Sequence, residues 1–155
     1  MIVALIVDKL LLYGNIGDIY YLTPCNVGRI LKEEYVSDRK TAFLHSTQFD
    51  DIWEKLGLDD ADLRRLQNII AKNADAGKVM RGTGGFRKMR FAREGAGKSG
   101  GVRVIYMELN AYSYVYLLAV YPKSVKDTLT NAEKIELRAL SKATLDAFRK
   151  REVKW

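Results

Sequence analysis

The chain has 155 residues, enough for one domain with a buried core, and it carries a net charge of +7. Its composition, 48% hydrophobic and 29% charged with only two prolines, is typical of a globular protein and excludes a disordered one. One cysteine and one histidine exclude an intramolecular disulfide and a site built from several cysteines or histidines. We therefore expect a protein of the reducing cytoplasm that needs no metal and no other cofactor.

The first 40 residues lack the regular patterns found in the rest of the chain. Their apolar start has no basic region before it, is interrupted by Asp8 and Lys9, and is too short to span a membrane. Two interpretations stay open. The segment is an extra element with its own role, or translation begins near Val36, at a GTG codon behind a purine-rich ribosome-binding site that encodes residues 32–34.

Two helices are predicted at the start of the remaining domain, residues 41–155. The first has an apolar face at the spacing i, i+3, i+4, i+7, formed by Phe49, Ile52, Trp53 and Leu56. The second follows the acidic turn at Asp59 and has its apolar face at Leu63, Leu66, Ile70 and Ala74. Gly57 and Gly77 mark the expected C-terminal ends of the two helices.

Three strands and a final helix are predicted next. The strands are expected at Phe86–Ala92, Val102–Met107 and Tyr114–Tyr121, where β-branched and aromatic residues are frequent. The capping-box pattern from Thr130 to Glu133 predicts the start of the helix, whose apolar stripe contains Leu137, Leu140, Thr144 or Leu145, and Phe148. This order predicts an α+β fold, with a small antiparallel sheet packed against two N-terminal helices and one C-terminal helix.

Residues 78–103 carry the whole charge imbalance of the chain. This segment has one acidic residue, Glu94, and the basic residues Lys78, Arg81, Arg87, Lys88, Arg90, Arg93, Lys98 and Arg103. Charge concentrated in this way indicates a binding site, because charge that serves solubility is spread over the surface. The segment is also rich in glycine, which allows the main chain to approach a ligand closely. A polyanion is the ligand we expect.

Strand alternation places Lys88 and Arg90 on one face of the strand predicted at residues 86–92. Pairing across the glycine-rich loop then brings Arg103 and Lys98 toward the same face. Such a patch suits a phosphodiester, because guanidinium groups bind phosphate oxygens in pairs and lysine acts as a compact point charge. From charge alone, a weakly binding solvated face and a docking site for an acidic protein also stay open.

Other nucleotide or nuclease signals in the chain are weak. The glycine-rich run at residues 93–99 lacks the first glycine of a P-loop, and it leads into a strand instead of a helix. His45 lies far in sequence from the basic segment, at the end of a short N-terminal strand. Trp53 sits on a regular apolar helix face. We expect a structural or surface role for His45 and a place in the core for Trp53.

The run GTGGFRKMRFAREGAGKSGGVRVIY, followed by YLLAVYPKSVKDTLTNAE, closely resembles the RelE/HigB-type toxins of bacterial type II toxin–antitoxin systems, in the RelE/ParE superfamily. The resemblance begins at TAFLHSTQFDDIWEKLGL and covers about residues 41–150. It implies a small α+β domain with its active site on the basic concave face of the sheet. Members are ribosome-dependent endoribonucleases that cleave mRNA in the ribosomal A site and arrest translation. A cognate antitoxin, in this branch commonly a helix-turn-helix protein, neutralises them.

The resemblance also implies roles for individual residues. The basic strand residues of the family match Lys88 and Arg90, the arginine opening the next strand matches Arg103, and the basic residue after the last strand matches Lys123. We expect Arg90 and Arg103 to stabilise the pentacoordinate phosphate and Lys88 to transfer a proton, in a metal-independent attack by the RNA 2′-hydroxyl. Lys123 is expected to position the backbone. Further RNA contacts, including ribosomal RNA, are expected from Arg81, Arg87, Arg93 and Lys98.

One departure from the family pattern leaves the general base open. The best-known branch places a tyrosine shortly before the final helix, and the matching position here is near Leu129. Tyr121 is the candidate that could substitute for it, although a tyrosine that ends an apolar strand is more often packed in the core.

Two functions from different classes follow from these observations. The favoured one is a ribosome-dependent mRNA endonuclease. The alternative is a non-catalytic toxin on the same scaffold, which binds a protein such as DNA gyrase, or a decayed toxin that binds only its antitoxin. The density of Lys and Arg on paired strands favours the nuclease, since a toxin that binds only protein does not need it.

Overall fold

The computed structural model describes residues 41–96, 100–125 and 128–152 of the chain. The two interpretations of residues 1–40, and the expectation for Lys98, lie outside these ranges. The elements in chain order are β1 (Ala42–His45), α1 (Thr47–Lys55), α2 (Asp60–Lys72), β2 (Lys78–Val79), β3 (Phe86–Ala92), β4 (Gly101–Leu109), β5 (Tyr114–Pro122) and α3 (Asn131–Glu152). None of the helices in these ranges is long and apolar enough to cross a membrane.

The five strands form one sheet in the order β1-β5-β4-β3-β2. All neighbours are antiparallel except β1 and β5, which run parallel. The long connection between these two strands, which begins with α1, makes a parallel pair possible. The predicted α+β fold with a mostly antiparallel sheet is therefore confirmed. β4 extends beyond the predicted Val102–Met107 at both ends, and the two-residue β2 was not predicted.

Each face of the sheet is covered by helices from a different part of the chain. Alternate residues of β4 point to opposite faces, so that Val104 and Tyr106 join the core beneath α1 and α2, whereas Ile105 and Met107 join the core beneath α3. Trp53 of α1 is 5% exposed and packs in the first of these cores. Its expected structural role is confirmed.

Side chains cap the N-termini of α1 and α2 by hydrogen bonding to free backbone N–H groups. Ser46 caps α1 by accepting from the Phe49 N–H, and its hydroxyl also donates to the Leu118 carbonyl at 2.7 Å. Asp59 and Asp62 form a capping box at the start of α2, which lowers the pKa of Asp59 because backbone N–H groups stabilise its carboxylate.

The predicted end of α2 at Gly77 is wrong. The helix ends at Lys72, Asn73 caps it, and a short 3-10 turn at Ala74–Ala76 follows. Gly77 has a different role, because its N–H donates to the buried Tyr106 hydroxyl at 2.8 Å. A Cβ at Gly77 would lie 2.8 Å from the Tyr106 ring, so only glycine fits between this ring and the start of β2. A packing contact that is distant in sequence therefore explains this glycine.

The start of α3 follows the sequence prediction. Thr130 and Glu133 exchange hydrogen bonds, with the Glu133 N–H donating to the threonine hydroxyl and the Thr130 N–H donating to the carboxylate. The hydrogen bond from the Thr130 N–H lowers the pKa of Glu133. Leu137 and Phe148 of the predicted stripe are buried against the sheet, and Thr144 is buried with them.

Candidate active site

The register of three strands places several polar residues in one row on the α3 face of the sheet. Arg90 of β3 lies directly opposite Arg103 of β4, and Arg103 lies directly opposite Tyr121 of β5. In the neighbouring row, Lys88 of β3 lies opposite Lys78 of β2. Directly opposite residues in an antiparallel pair share a face, with Cβ atoms about 4.5–5.5 Å apart. The hydrogen-bonded sheet therefore brings four cationic residues together.

These four residues line one open cavity of about 560 Å³, whose walls include Ala76, Lys78, Lys88, Met89, Arg90 and Arg103. We call the four cations Lys78, Lys88, Arg90 and Arg103 the basic groove. Helix α3 explains where the groove begins. Phe86 and Ile105, on the same face, are fully covered by the core beneath α3, whereas Arg90, further along β3, is exposed. The groove thus occupies the part of this face that α3 leaves open.

The electrostatics of the groove favour a bound anion. Like charges directly opposite each other on paired strands repel, and here two such pairs are adjacent: Lys78 with Lys88, and Arg90 with Arg103. A phosphodiester placed between them would relieve this repulsion, and each arginine could offer two N–H donors to its oxygens. The groove is therefore suited to holding a phosphate that carries extra negative charge.

Tyr121 lies next to the groove but belongs to the core. Its side chain is only 3% exposed, and it packs in the cluster beneath α3. Leu129, near which the resemblance to the family places a tyrosine, is partly buried and packs against the same cluster. Lys123 follows β5 and is exposed, and its N–H donates to the Gly101 carbonyl at 3.3 Å. That bond places Lys123 beside Gly101, at the start of β4. Gly101 precedes Arg103 by two residues.

Two of the expected RNA-contacting residues lie on the opposite face of the sheet. Arg87 pairs with Asp75 at 2.9 Å and donates to the Gly77 carbonyl at 2.9 Å. Arg93 pairs with Asp62 at 3.3 Å, which joins the end of β3 to the start of α2. Strand alternation explains their location, because both are an odd number of residues from Lys88 and Arg90. The structure does not bring them into the groove.

The remaining candidates lie elsewhere. Arg81 is exposed in the turn between β2 and β3, at the opposite end of β3 from Arg90. His45 lies on β1, at the far edge of the sheet, where its Nδ1 is 2.9 Å from an Asp50 carboxylate oxygen and its ring packs on Phe49. Its expected structural role is confirmed. The described residues contain no group of three or more His, Cys, Asp or Glu side chains arranged to hold a metal ion.

Lys78 belongs to the groove, but the sequence did not predict it as a site residue. It counted only as one of the basic residues of segment 78–103. Its position depends on β2, a two-residue strand too short to produce a periodic pattern. The one signal available was the glycine-rich turn between two basic stretches, which is typical of a hairpin. A hairpin there would have placed Lys78 beside the strand that carries Lys88.

A family comparison supports the relationship that the sequence motifs suggest. The RelE family, described as the RelE toxin of the RelE/RelB toxin–antitoxin system, matches residues 43–153, which is most of the chain. The matched region contains every element of the fold apart from Ala42, the first residue of β1, and it contains the whole basic groove. Toxins of such systems act with an antitoxin as partner. This chain therefore belongs to the RelE toxin family of toxin–antitoxin systems.

Proposed function

We propose that the protein is an endoribonuclease that cleaves mRNA on the ribosome and so arrests translation in the cytoplasm. The observation that carries the proposal is the basic groove, in which Lys78, Lys88, Arg90 and Arg103 surround one cavity on the open face of the sheet. Membership of the RelE family supports it, because toxins of this family are generally mRNA-cleaving ribonucleases. A toxin that only binds a protein has no need of paired cations in a cleft.

The proposed reaction is attack by the RNA 2′-hydroxyl on its own 3′-phosphate. A new bond forms between the 2′-oxygen and phosphorus, the bond from phosphorus to the 5′-oxygen breaks, and the products are a 2′,3′-cyclic phosphate and a 5′-hydroxyl. The 2′-hydroxyl loses a proton to a base, and the departing 5′-oxygen gains one from an acid. Negative charge accumulates on the non-bridging oxygens between these two events.

The groove offers groups for the charge and for the leaving oxygen. In this proposal Arg90 and Arg103, on adjacent strands, bind the non-bridging oxygens of the phosphate. Donors that are already in position before the reaction stabilise the transition state most effectively. Lys88, in the next row of the same face, donates its proton to the 5′-oxygen, and Lys123 beside β4 binds a neighbouring phosphate. Tyr121 is packed in the core, which favours a positioning role behind Arg103 over proton transfer.

The proposal is tested by primer extension on cellular mRNA after the protein is expressed without its antitoxin. We expect new 5′ ends within codons for the natural chain, and their loss together with relief of growth arrest for Lys88→Ala and Arg103→Ala. Lys72→Ala, at the exposed end of α2 on the other side of the sheet, is the matched control and should cleave normally.

Two outcomes would contradict the proposal. Uncut mRNA accompanied by DNA damage would point to a target such as DNA gyrase. Full toxicity of a folded Lys88→Ala/Arg103→Ala double variant would show that the groove is not the active site. Circular dichroism of the purified variants establishes that loss of activity does not reflect unfolding.

A further inference from the structure

A second group of cations lies on α3 and on the turn between β2 and β3. Lys134, Arg138 and Lys142 follow one another at intervals of four residues, so they share one side of the helix. They span about 12 Å along the helix axis at about 1.5 Å per residue. Arg138 and Lys142 are exposed, and Lys134 is partly exposed. We call these three residues and Arg81 the turn–helix patch.

The turn is fastened to the helix beside these cations. The Arg138 Nε donates to the Gly82 carbonyl at 3.2 Å, and the Ser141 hydroxyl donates to the Gly84 carbonyl at 2.6 Å. A Cβ at Gly82 would lie 3.6 Å from the Lys134 side chain, so the turn also lies against that lysine. These contacts hold Arg81, the neighbour of Gly82, next to the cations of α3. The patch is therefore a defined surface that combines two elements of the fold.

The charge of the patch is not neutralised within the described part of the chain. There, no acidic side chain forms an ion pair with Lys134, Arg138 or Lys142. Arg149, further along the helix, differs because it pairs with Asp146 at 3.6 Å. Positive charge that is not paired with an acidic side chain among the described residues, and that recurs at a regular interval, is the electrostatic pattern that binds a phosphate backbone.

The patch is close to the basic groove yet separate from it. Arg81 is three residues from Lys78 along the chain, so at most about 11 Å separates their Cα atoms. The groove lies on the sheet beyond α3, whereas the patch lies on the helix surface and on the turn. We propose that the turn–helix patch is a second RNA-binding surface, which holds the phosphate backbone of an RNA segment outside the cleavage site.

RNA fits this surface better than an acidic protein does. The centre of a protein–protein interface is depleted of charged residues and enriched in aromatic ones, whereas every residue of this patch is charged and none is aromatic. Ile135 is the exposed large hydrophobic residue of α3 among those described, and a single exposed apolar residue does not make a docking surface. Phosphate contacts require only accessible positive charge at suitable spacing.

The inference builds on the proposed function, because both surfaces take RNA as their ligand, and binding can be measured apart from cleavage. The test variant is Lys134→Gln/Lys142→Gln, which keeps Arg138 and its hydrogen bond to the turn. Glutamine is a good helix former, so α3 should be retained. The control variant is Lys55→Gln/Lys72→Gln, which removes two exposed lysines from the last turns of α1 and α2 and changes the net charge equally.

The probe is a short fluorescent RNA hairpin, and its affinity is measured by anisotropy over a range of salt concentrations. The slope of log affinity against log salt should become shallower by about 1.4–1.8 in the test variant, as expected for the loss of two phosphate contacts. The control should keep the slope of the natural chain. Cleavage of mRNA on saturating ribosomes should be unchanged in the control variant, because it changes neither the groove nor the patch.

An equal slope for the test and control variants would overturn the inference, and so would unchanged RNA binding accompanied by weaker binding of the antitoxin. The second result would assign the patch to the protein partner. Failure here is distinguishable from failure of the proposed nuclease, because that function is judged by the cleavage of Arg103→Ala. A patch that binds RNA in a protein that cuts none would refute only the nuclease.

Discussion

Arg90 on β3 and Arg103 on β4 are direct cross-strand partners on a part of the α3 face that the helix leaves open. Like charges in this arrangement cost about 0.2–1 kcal/mol of folding free energy relative to a neutral pair. The adjacent Lys78–Lys88 pair adds a second repulsion of the same kind. In the absence of RNA, the groove is therefore expected to lower the stability of the sheet. Removing one of its charges should raise stability and reduce activity.

Replacing Arg90 with threonine should stabilise the protein while it impairs cleavage. Threonine suits a strand and ends the repulsion with Arg103, so the free energy of unfolding should rise by up to about 1 kcal/mol. Loss of a charged hydrogen bond to phosphate, worth about 1.5–3 kcal/mol, should slow cleavage about 10- to 150-fold. Urea denaturation and single-turnover cleavage on ribosomes measure the two effects. A parallel fall in stability and activity would argue against this role of Arg90.

Replacing Lys78 with alanine should reduce cleavage without loss of stability. Lys78 is exposed and lines the groove opposite Lys88, so its charge contributes to phosphate binding but not to the core. We expect kcat/KM to fall about 10-fold, as for one phosphate contact of about 1.4 kcal/mol. Lys78→Arg should restore most of the activity, because it restores the charge. Equal rates for the alanine variant and the natural chain would remove Lys78 from the site.

Replacing Arg87 with alanine should lower the stability of the protein and leave RNA cleavage almost unchanged. The Arg87 guanidinium donates to the carbonyl of buried Gly77 and pairs with Asp75 on the face away from the groove. Its loss should lower the free energy of unfolding by about 1–2 kcal/mol, mostly through the unsatisfied carbonyl, because the ion pair with exposed Asp75 contributes little. Cleavage per folded molecule should change less than threefold, or less than about 0.7 kcal/mol in activation free energy. A large loss of cleavage at unchanged thermal midpoint would instead place Arg87 in RNA binding.

Replacing Gly77 with alanine should lower stability and displace β2, the strand that contributes Lys78 to the groove. The added methyl group would lie 2.8 Å from the Tyr106 ring and 3.1 Å from the Lys88 carbonyl, both too close for an unshifted structure. We expect a loss of about 1–3 kcal/mol in stability, as for overpacking in a core, together with reduced cleavage, because β2 carries Lys78. Gly101→Ala is the control, since its added methyl would sit 3.6 Å from the Phe91 carbonyl, an ordinary contact. Equal thermal midpoints for the two variants would contradict this packing.

The Glu133 cap should make stability depend on pH in the acid range. The hydrogen bond from the Thr130 N–H lowers the pKa of Glu133 below its ordinary value of 4.5 in the folded protein. The folded state therefore binds fewer protons than the unfolded state, so the contribution is complete above 4.5 and is lost as the pH falls through the folded pKa. Glu133→Gln keeps the hydrogen bond but not the charge, and should cost about 0.3–1 kcal/mol at neutral pH. The difference in thermal midpoint should close on acidification, and a constant difference would contradict this assignment.

Local patterns in the sequence predicted most of the elements correctly. The apolar stripes of α1 and α3, the capping box at Thr130 and the bounds of β3 depend on residues that are close in sequence, and the structure confirms them. One prediction failed and one strand was not predicted. Gly77 does not end α2, which ends at Lys72, and the close approach of Tyr106 explains this glycine instead. The strand β2 depends on its pairing with β3 and has no periodic pattern of its own.

For the candidate site, too, local sequence predicted part of the arrangement and the tertiary structure supplied the rest. Sequence alternation alone placed Lys88 and Arg90 on one face of β3, and the motifs around them indicated the RelE family, which the family comparison confirms. Alternation also separates Arg87 and Arg93 from that face, and the structure shows the carboxylates that hold them. The roles of these residues in RNA cleavage stay predictions for the experiments above.

The sequence by itself determined the charge of residues 78–103, the helices and strands with local signals, and the family. Only the tertiary structure decided which cations share a cleft. Strand pairing fixed Arg103 opposite Arg90 and added Lys78 opposite Lys88, and the packing of α3 over Phe86 left that part of the sheet open. The reason is physical: side-chain direction follows from the local backbone, whereas cross-strand neighbours depend on a register set by hydrogen bonds between residues that are distant in sequence.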